Sequence, residues 1–240
     1  MVTDLNSPGQ ARAVVAEATG TALLLAAIVG SGIMGDRLAG GNAVLALLAN
    51  SLATGAALVA LILTFGPVSG AHFNPAVTLA DASQGGLPWG RAAGYVAAQL
   101  SGAVLGVFAA HAMFSESLLM VSTHDRGGVA QMFSEFIATF GLLAVIWGCS
   151  RRRASITPLA VGAYVIAAIW FTASTSFANP AVTIARVFTD TFTGIHPSSV
   201  AGFLAGQFAG AFSATWLFRW LTPMLPQRAD DIVVPHSLES

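Results

Sequence analysis

The chain has no lysine, a single cysteine and few charges of either sign. All ten basic residues among its 240 are arginines, set against eleven acids, and charged residues make up 9% of the composition. A soluble domain of this size carries about 25%, so the polar surface that water requires is missing. The formal net charge of -1 argues against an acidic or basic partner surface, and the lack of lysine speaks against a nucleic-acid face. The lone Cys149 excludes an internal disulfide and a cysteine-based metal site. His72, His111, His124, His196 and His236 are scattered without metal-ligand spacing. Neither a Gly-rich phosphate loop nor a nucleophile elbow is present. No metal, cofactor or enzymatic chemistry is expected. The segment 1–10 is short and polar, and predicts no cleaved signal peptide.

What is there is apolar: 55% of residues are hydrophobic. A helix needs about 20 apolar residues to cross a bilayer core of about 30 Å. Six stretches qualify, at roughly 11–34, 42–65, 89–114, 129–150, 155–172 and 198–221, the fifth being the shortest. The spans are rich in small residues such as Gly94, Gly102 and Gly106, which let helix backbones approach closely. The reading is an all-α integral membrane protein with one membrane domain over 11–222, flanked by short tails at 1–10 and 223–240. Six spans put both tails on one side. If that side is the cytoplasm, Arg12, Arg91, Arg151, Arg152, Arg153, Arg219 and Arg228 face it, and only Arg37 and Arg126 lie in outer loops. That is a positive-inside bias. The run 151–153 reads as a topological anchor.

Two further segments, 66–81 and 173–186, are too apolar for solvent loops and too short to span. They share Asn-Pro-Ala-Val-Thr, at 74–78 and at 179–183. Asn is a favoured N-cap, whose side-chain oxygen accepts from a free backbone N–H, and Pro suits the first helical position. Each motif therefore predicts a half-helix of about ten residues, roughly 15 Å long, after a non-helical approach. Irregular backbone at membrane depth is tolerated only inside protein or along a cavity. The rest is duplicated too: Glu17 in the first span is matched by Glu135 in the fourth. Two halves, about 11–114 and 129–222, each with three spans, have opposite orientation. Such an inverted repeat with broken helices points to a conduction or binding site at the midplane.

At these residues the chain resembles the aquaporin and aquaglyceroporin family, over roughly 12–222. The resemblance rests on Ser69 through Thr78, on Asn179-Pro180-Ala181, and on the paired Glu17 and Glu135. It implies six transmembrane helices and two re-entrant half-helices meeting at Asn74-Pro75-Ala76 and Asn179-Pro180-Ala181, with both asparagine amides directed into a pore. It further implies pore-lining carbonyls at Gly70, Ala71 and His72 and at Ser174, Thr175 and Ser176, and glutamates that hold the re-entrant loops. Two half-helix N-termini place partial positive charge at the midplane, a barrier to cations. A homotetramer with one pore per subunit, in a bacterial plasma membrane with both termini cytoplasmic, is the expected setting.

One departure bears on the solute. The family narrows the outer pore with four positions, which by motif offset are Thr54, Ala167, Ser176 and Val182. The usual Arg is absent and Val182 stands in its place. Arginine brings a permanent charge and several donors, so its loss predicts a wide, weakly polar filter. Such a filter suits glycerol, urea and neutral metalloid hydroxides such as arsenous acid as well as water, and 170–183 resembles the bacterial aquaglyceroporins associated with arsenic resistance. Arg186, one turn on, reads either as a rim charge or as a cap or loop contact. His72 reads as a structural histidine or, in a sharper version, as a pH gate. Cys149, near the inner end of the fourth span, predicts weak mercurial block. The alternatives are an orthodox water-selective channel and a secondary transporter, since inverted repeats serve those as well.

Overall fold

The structure, a computed structural model, describes residues 8–150 and 154–222. The arginine run 151–153, Arg228 and the tail 223–240 lie outside the described residues. Among the described residues all regular structure is helical: α1 (Pro8–Leu38), α2 (Ala43–Ser69), α3 (Pro75–Gln84), α4 (Trp89–Phe114), α5 (Val129–Ser150), α6 (Thr157–Phe171), α7 (Pro180–Ala185) and α8 (Pro197–Leu221). Their ends follow local chemistry. Asn42 caps α2 through bonds from the backbone N–H groups of Val44 and Leu45 at 3.1 and 3.2 Å, and Gly70 ends it at φ 84°. Proline opens α3, α7 and α8, where its missing N–H costs nothing.

Among the described residues five helices, α1, α2, α4, α5 and α8, are long and apolar enough to cross a membrane. The sixth, α6, has 15 residues and is about 22 Å long; the 3₁₀ turn Ala154–Ile156 precedes it. The second half-helix also differs from expectation. α3 has the ten residues predicted, but α7 has six and passes into the 3₁₀ turn Arg186–Phe188. The carbonyl of Arg186 accepts from the Ile195 N–H at 3.2 Å, which turns the chain back before a longer helix can form.

α1 packs on α4 and α2, and α5 packs in the same way on α8 and α6, while α2 meets α6 across the two halves. The closest approaches lie at matching glycines. A Cβ on Gly102 or Gly106 of α4 would run into the carbonyl oxygens of Ala18 or Ala22, and one on Gly206 or Gly210 of α8 into those of Met132 or Phe136. Each pair is a Gly-x-x-x-Gly repeat, the spacing that lets two helix backbones touch. α3 and α7 fill the centre, each reaching the other half: α3 touches α8 and α7 touches α4. Large apolar side chains such as Leu63, Leu105 and Phe133 are exposed on the outside, as lipid contact requires. Trp89, at the start of α4, and Trp216 and Trp220, near the end of α8, are exposed, as tryptophans that anchor helix ends at a membrane interface are.

Candidate functional site

The two half-helices meet N-terminus to N-terminus through a reciprocal exchange. The Asn74 side-chain oxygen accepts from the Ala76 N–H at 2.9 Å, and that of Asn179 from the N–H groups of Ala181 and Val182 at 2.9 and 3.3 Å. This fixes each amide as a helix cap. The Asn74 Nδ2 then donates to the Ala178 carbonyl, and the Asn179 Nδ2 to the Phe73 carbonyl, both at 2.8 Å. Phe73 and Ala178, the residues just before each Asn, sit in the left-handed region at φ 49° and 48°. A non-glycine residue there costs about 1–3 kcal/mol, so the surroundings must hold it.

They do so with carboxylates. The Phe73 N–H donates to Glu17 Oε2 at 2.7 Å and the Ala178 N–H to Glu135 Oε2 at 2.8 Å. Glu17 also accepts from the His72 N–H, the Ser69 hydroxyl and Gln99 Nε2; Glu135 accepts from the Phe177 N–H and Gln207 Nε2. Each glutamine bridges on to its half-helix, Gln99 to Thr78 at 2.9 Å and Gln207 to Thr183 at 2.7 Å. Glu17 and Glu135 are fully buried, and buried charge is tolerated when donors surround it. Gln99 and Gln207 were not singled out from the sequence. The signal was there: each is a lone glutamine inside an apolar span, in matching halves.

A narrow central cavity runs past this crossing, with about 80 Å³ open to the centre of a water-sized sphere. That is space for several waters in file. Asn74 and Asn179 both border it, with Thr54, Leu58 and Ile62 of α2 and Val161, Val165 and Ile169 of α6. Of the four positions reached by motif offset, Thr54, Ser176 and Val182 line the cavity. Ala167 does not: it lies on the exposed face of α6. Each of its lining neighbours, Val165 and Ile169, is two residues away, about 200° around the helix. Counting back from the motif crosses an irregular loop, which loses the helical phase. Ala71, His72 and Thr175 also border the cavity, whereas Gly70 and Ser174 do not. Gly70 ends α2, and the Ser174 hydroxyl accepts from the Ser176 N–H at 3.3 Å behind the wall.

The two mouths differ. At one, His72 is held between Thr78 and Asp81, with Nδ1 3.1 Å from the Thr78 hydroxyl and Nε2 3.7 Å from Asp81, and meets Tyr95 edge to face. At the other, Arg186 both ties a loop and borders the cavity: its Nε donates to the Thr193 carbonyl, and its guanidinium lies 3.4 Å from the centre of the Phe177 ring. The two readings of Arg186 therefore coexist. Cys149 is half-buried and is not among the residues bordering the cavity. Among the described residues no cluster of side chains could hold a metal ion.

Residues 4–178 match the family model described as major intrinsic protein, a match that stops one residue short of the second Asn-Pro-Ala. The chain is 53% identical over 210 residues to aquaglyceroporin AqpS of Rhizobium meliloti (strain 1021), covering 88% of this chain and 90% of that one. It is 31% identical over 202 residues to aquaporin NIP2-3 of Zea mays, covering 81% and 66%. Among solved structures, the aquaglyceroporin from Plasmodium falciparum superposes with a TM-score of 0.68 at 19% identity, over 91% of this chain and 99% of that one. At that identity the likeness speaks to the fold.

Proposed function

The chain belongs to the major intrinsic protein family, and from that premise we propose a passive channel for small uncharged solutes: glycerol-like polyols, neutral metalloid hydroxides such as arsenous acid, and water. The observation that carries this reading is the cavity itself. It passes two asparagines whose amides are aimed by the opposite loop, and no carboxylate borders it among the described residues. A coupling carboxylate in the path is what a proton-driven transporter needs, and His72, the titratable group on the lining, is held by Thr78 and Asp81, so a channel fits better than a secondary transporter. The family and the named relatives are channels, which points to transport and not catalysis.

The solute class follows from Thr54, Ser176 and Val182. Thr54, Ser176, Val182 and Ile169 border the cavity, so a solute there passes small and apolar side chains with no charged group among the four. Where the family has a wide guanidinium, a valine leaves room. Glu17 and Glu135 act as loop supports. The protein works as a homotetramer in a bacterial plasma membrane with both termini cytoplasmic, so that the mouth at His72 faces inward and the mouth at Arg186 outward.

Solute uptake in proteoliposomes, compared between wild type and Val182→Arg for water, glycerol and arsenous acid, tests the reading. Wild type passes all three, and the arginine variant loses the larger solutes by about tenfold or more while keeping water. Water flux alone in both proteins would mean that these positions do not set the constriction, and the metalloid proposal would fall.

A further inference from the structure

We propose that Arg186 and Arg126, both seated on Phe177, form a cationic clamp that bars cations from a channel whose filter has lost its own arginine. Arg126 lies in the loop between α4 and α5, far from Arg186 in sequence, yet its guanidinium carbon is 5.3 Å from the same ring centre. Its Nε donates to the Gly194 carbonyl at 2.8 Å and its Nη1 to the Thr175 hydroxyl at 3.5 Å. Arg186 donates to the Thr193 carbonyl, so two consecutive carbonyls hold the two guanidinium groups. Phe177 is itself fixed, by Glu135 through its N–H and by Phe203 edge to face at 4.9 Å.

None of these partners is a carboxylate in contact with either guanidinium; Glu135, which holds the Phe177 N–H, is the acid whose charge acts on both. Carbonyl oxygens and a ring face stabilise a guanidinium without cancelling it, and among the described residues neither arginine is within ion-pair distance of a carboxylate. Two like charges brought together in a buried place repel each other, an arrangement a simple loop tie does not need. Arg186 borders the cavity four residues beyond Val182, at the 3₁₀ turn that follows α7, about 6 Å further along the chain's course. An entering cation meets that potential before it reaches the asparagines, while a neutral solute does not. Thus steric width is relaxed at Val182, and charge exclusion is kept one turn away, on Arg186 together with Arg126, which no motif offset reaches.

The inference rests on the channel reading, and one experiment separates the two. Proteoliposomes of wild type, Arg186→Leu, Arg186→Lys and Arg126→Leu are assayed for potassium leak and for glycerol flux in the same preparation. The ratio of potassium to glycerol flux is expected to rise about tenfold or more in Arg186→Leu, to rise less in Arg126→Leu, and to stay near wild type in Arg186→Lys. The Arg126 variant reads the same potential if the Arg186→Leu protein fails to fold. Unchanged ratios in leucine variants that pass glycerol would overturn the clamp alone. A wild type that passes no solute at all would overturn both readings.

Discussion

Glu135 concentrates more of the site's order than any other single side chain in the second half. Two oxygens accept from the Phe177 and Ala178 N–H groups and from Gln207, and these bonds hold Ala178 in its left-handed conformation. A glutamine would keep one acceptor and turn an NH₂ group toward N–H donors, leaving buried groups unpaired. Glu135→Gln is expected to cost about 3 kcal/mol or more, seen as a lower thermal midpoint in detergent; an unchanged midpoint would show that the loop holds itself. Asn74, Asn179, Glu17 and Glu135 were legible in the sequence because the duplication writes each of them twice. Gln99 and Gln207 could have been found the same way, as lone glutamines in matching spans; Phe177 and Arg126 could not, because their importance lies in each other and in partners up to 68 residues away, a distance that spacing does not encode. Ala167 was misplaced for a related reason: an offset fixes position along the chain but not the phase of the helix it lands on.

For the elements, the glycine pairs set how near the long helices come. Gly206 of α8 faces the Met132 carbonyl of α5 with no room for a side chain. Gly206→Val must push α8 away from α5, and because Gln207 rides on the same turn, its bonds to Glu135 and Thr183 move with it. The expected result is a sharp loss of folded protein, several kcal/mol in stability, measured as the monodisperse fraction after extraction. Gly202, with nothing near its Cβ position, is the control: its alanine variant should extract as wild type does. The six spans were readable from hydropathy, though α6 is shorter than a full crossing. The length of α7 was not readable, since its end is set by the Arg186 to Ile195 backbone bond and not by a breaker residue.

Across the whole molecule, the loops at the Arg186 mouth are tied together by exposed polar bonds. The Asp190 carboxylate accepts from the Thr123 N–H and hydroxyl at 2.7 and 2.9 Å, and these bonds hold its pKa below the usual 3.8. A carboxylate with a lowered folded-state pKa lends stability above its unfolded value and loses it as pH falls through the lowered one. Hydrogen exchange at Thr123 should therefore be slow at pH 6 and accelerate, beyond the intrinsic change, once acid protonates Asp190; no such excess would mean the tie contributes nothing. The exchanged asparagine bonds at the centre carry a different consequence, one of timing. The Phe73 carbonyl must wait for Asn179, 106 residues later in the chain. At about 5–20 residues per second of synthesis, the first re-entrant loop spends roughly 5–20 s in the membrane with its acceptor unmet. During that interval the half-built protein is a natural client for whatever shields unfinished backbone at the site of insertion.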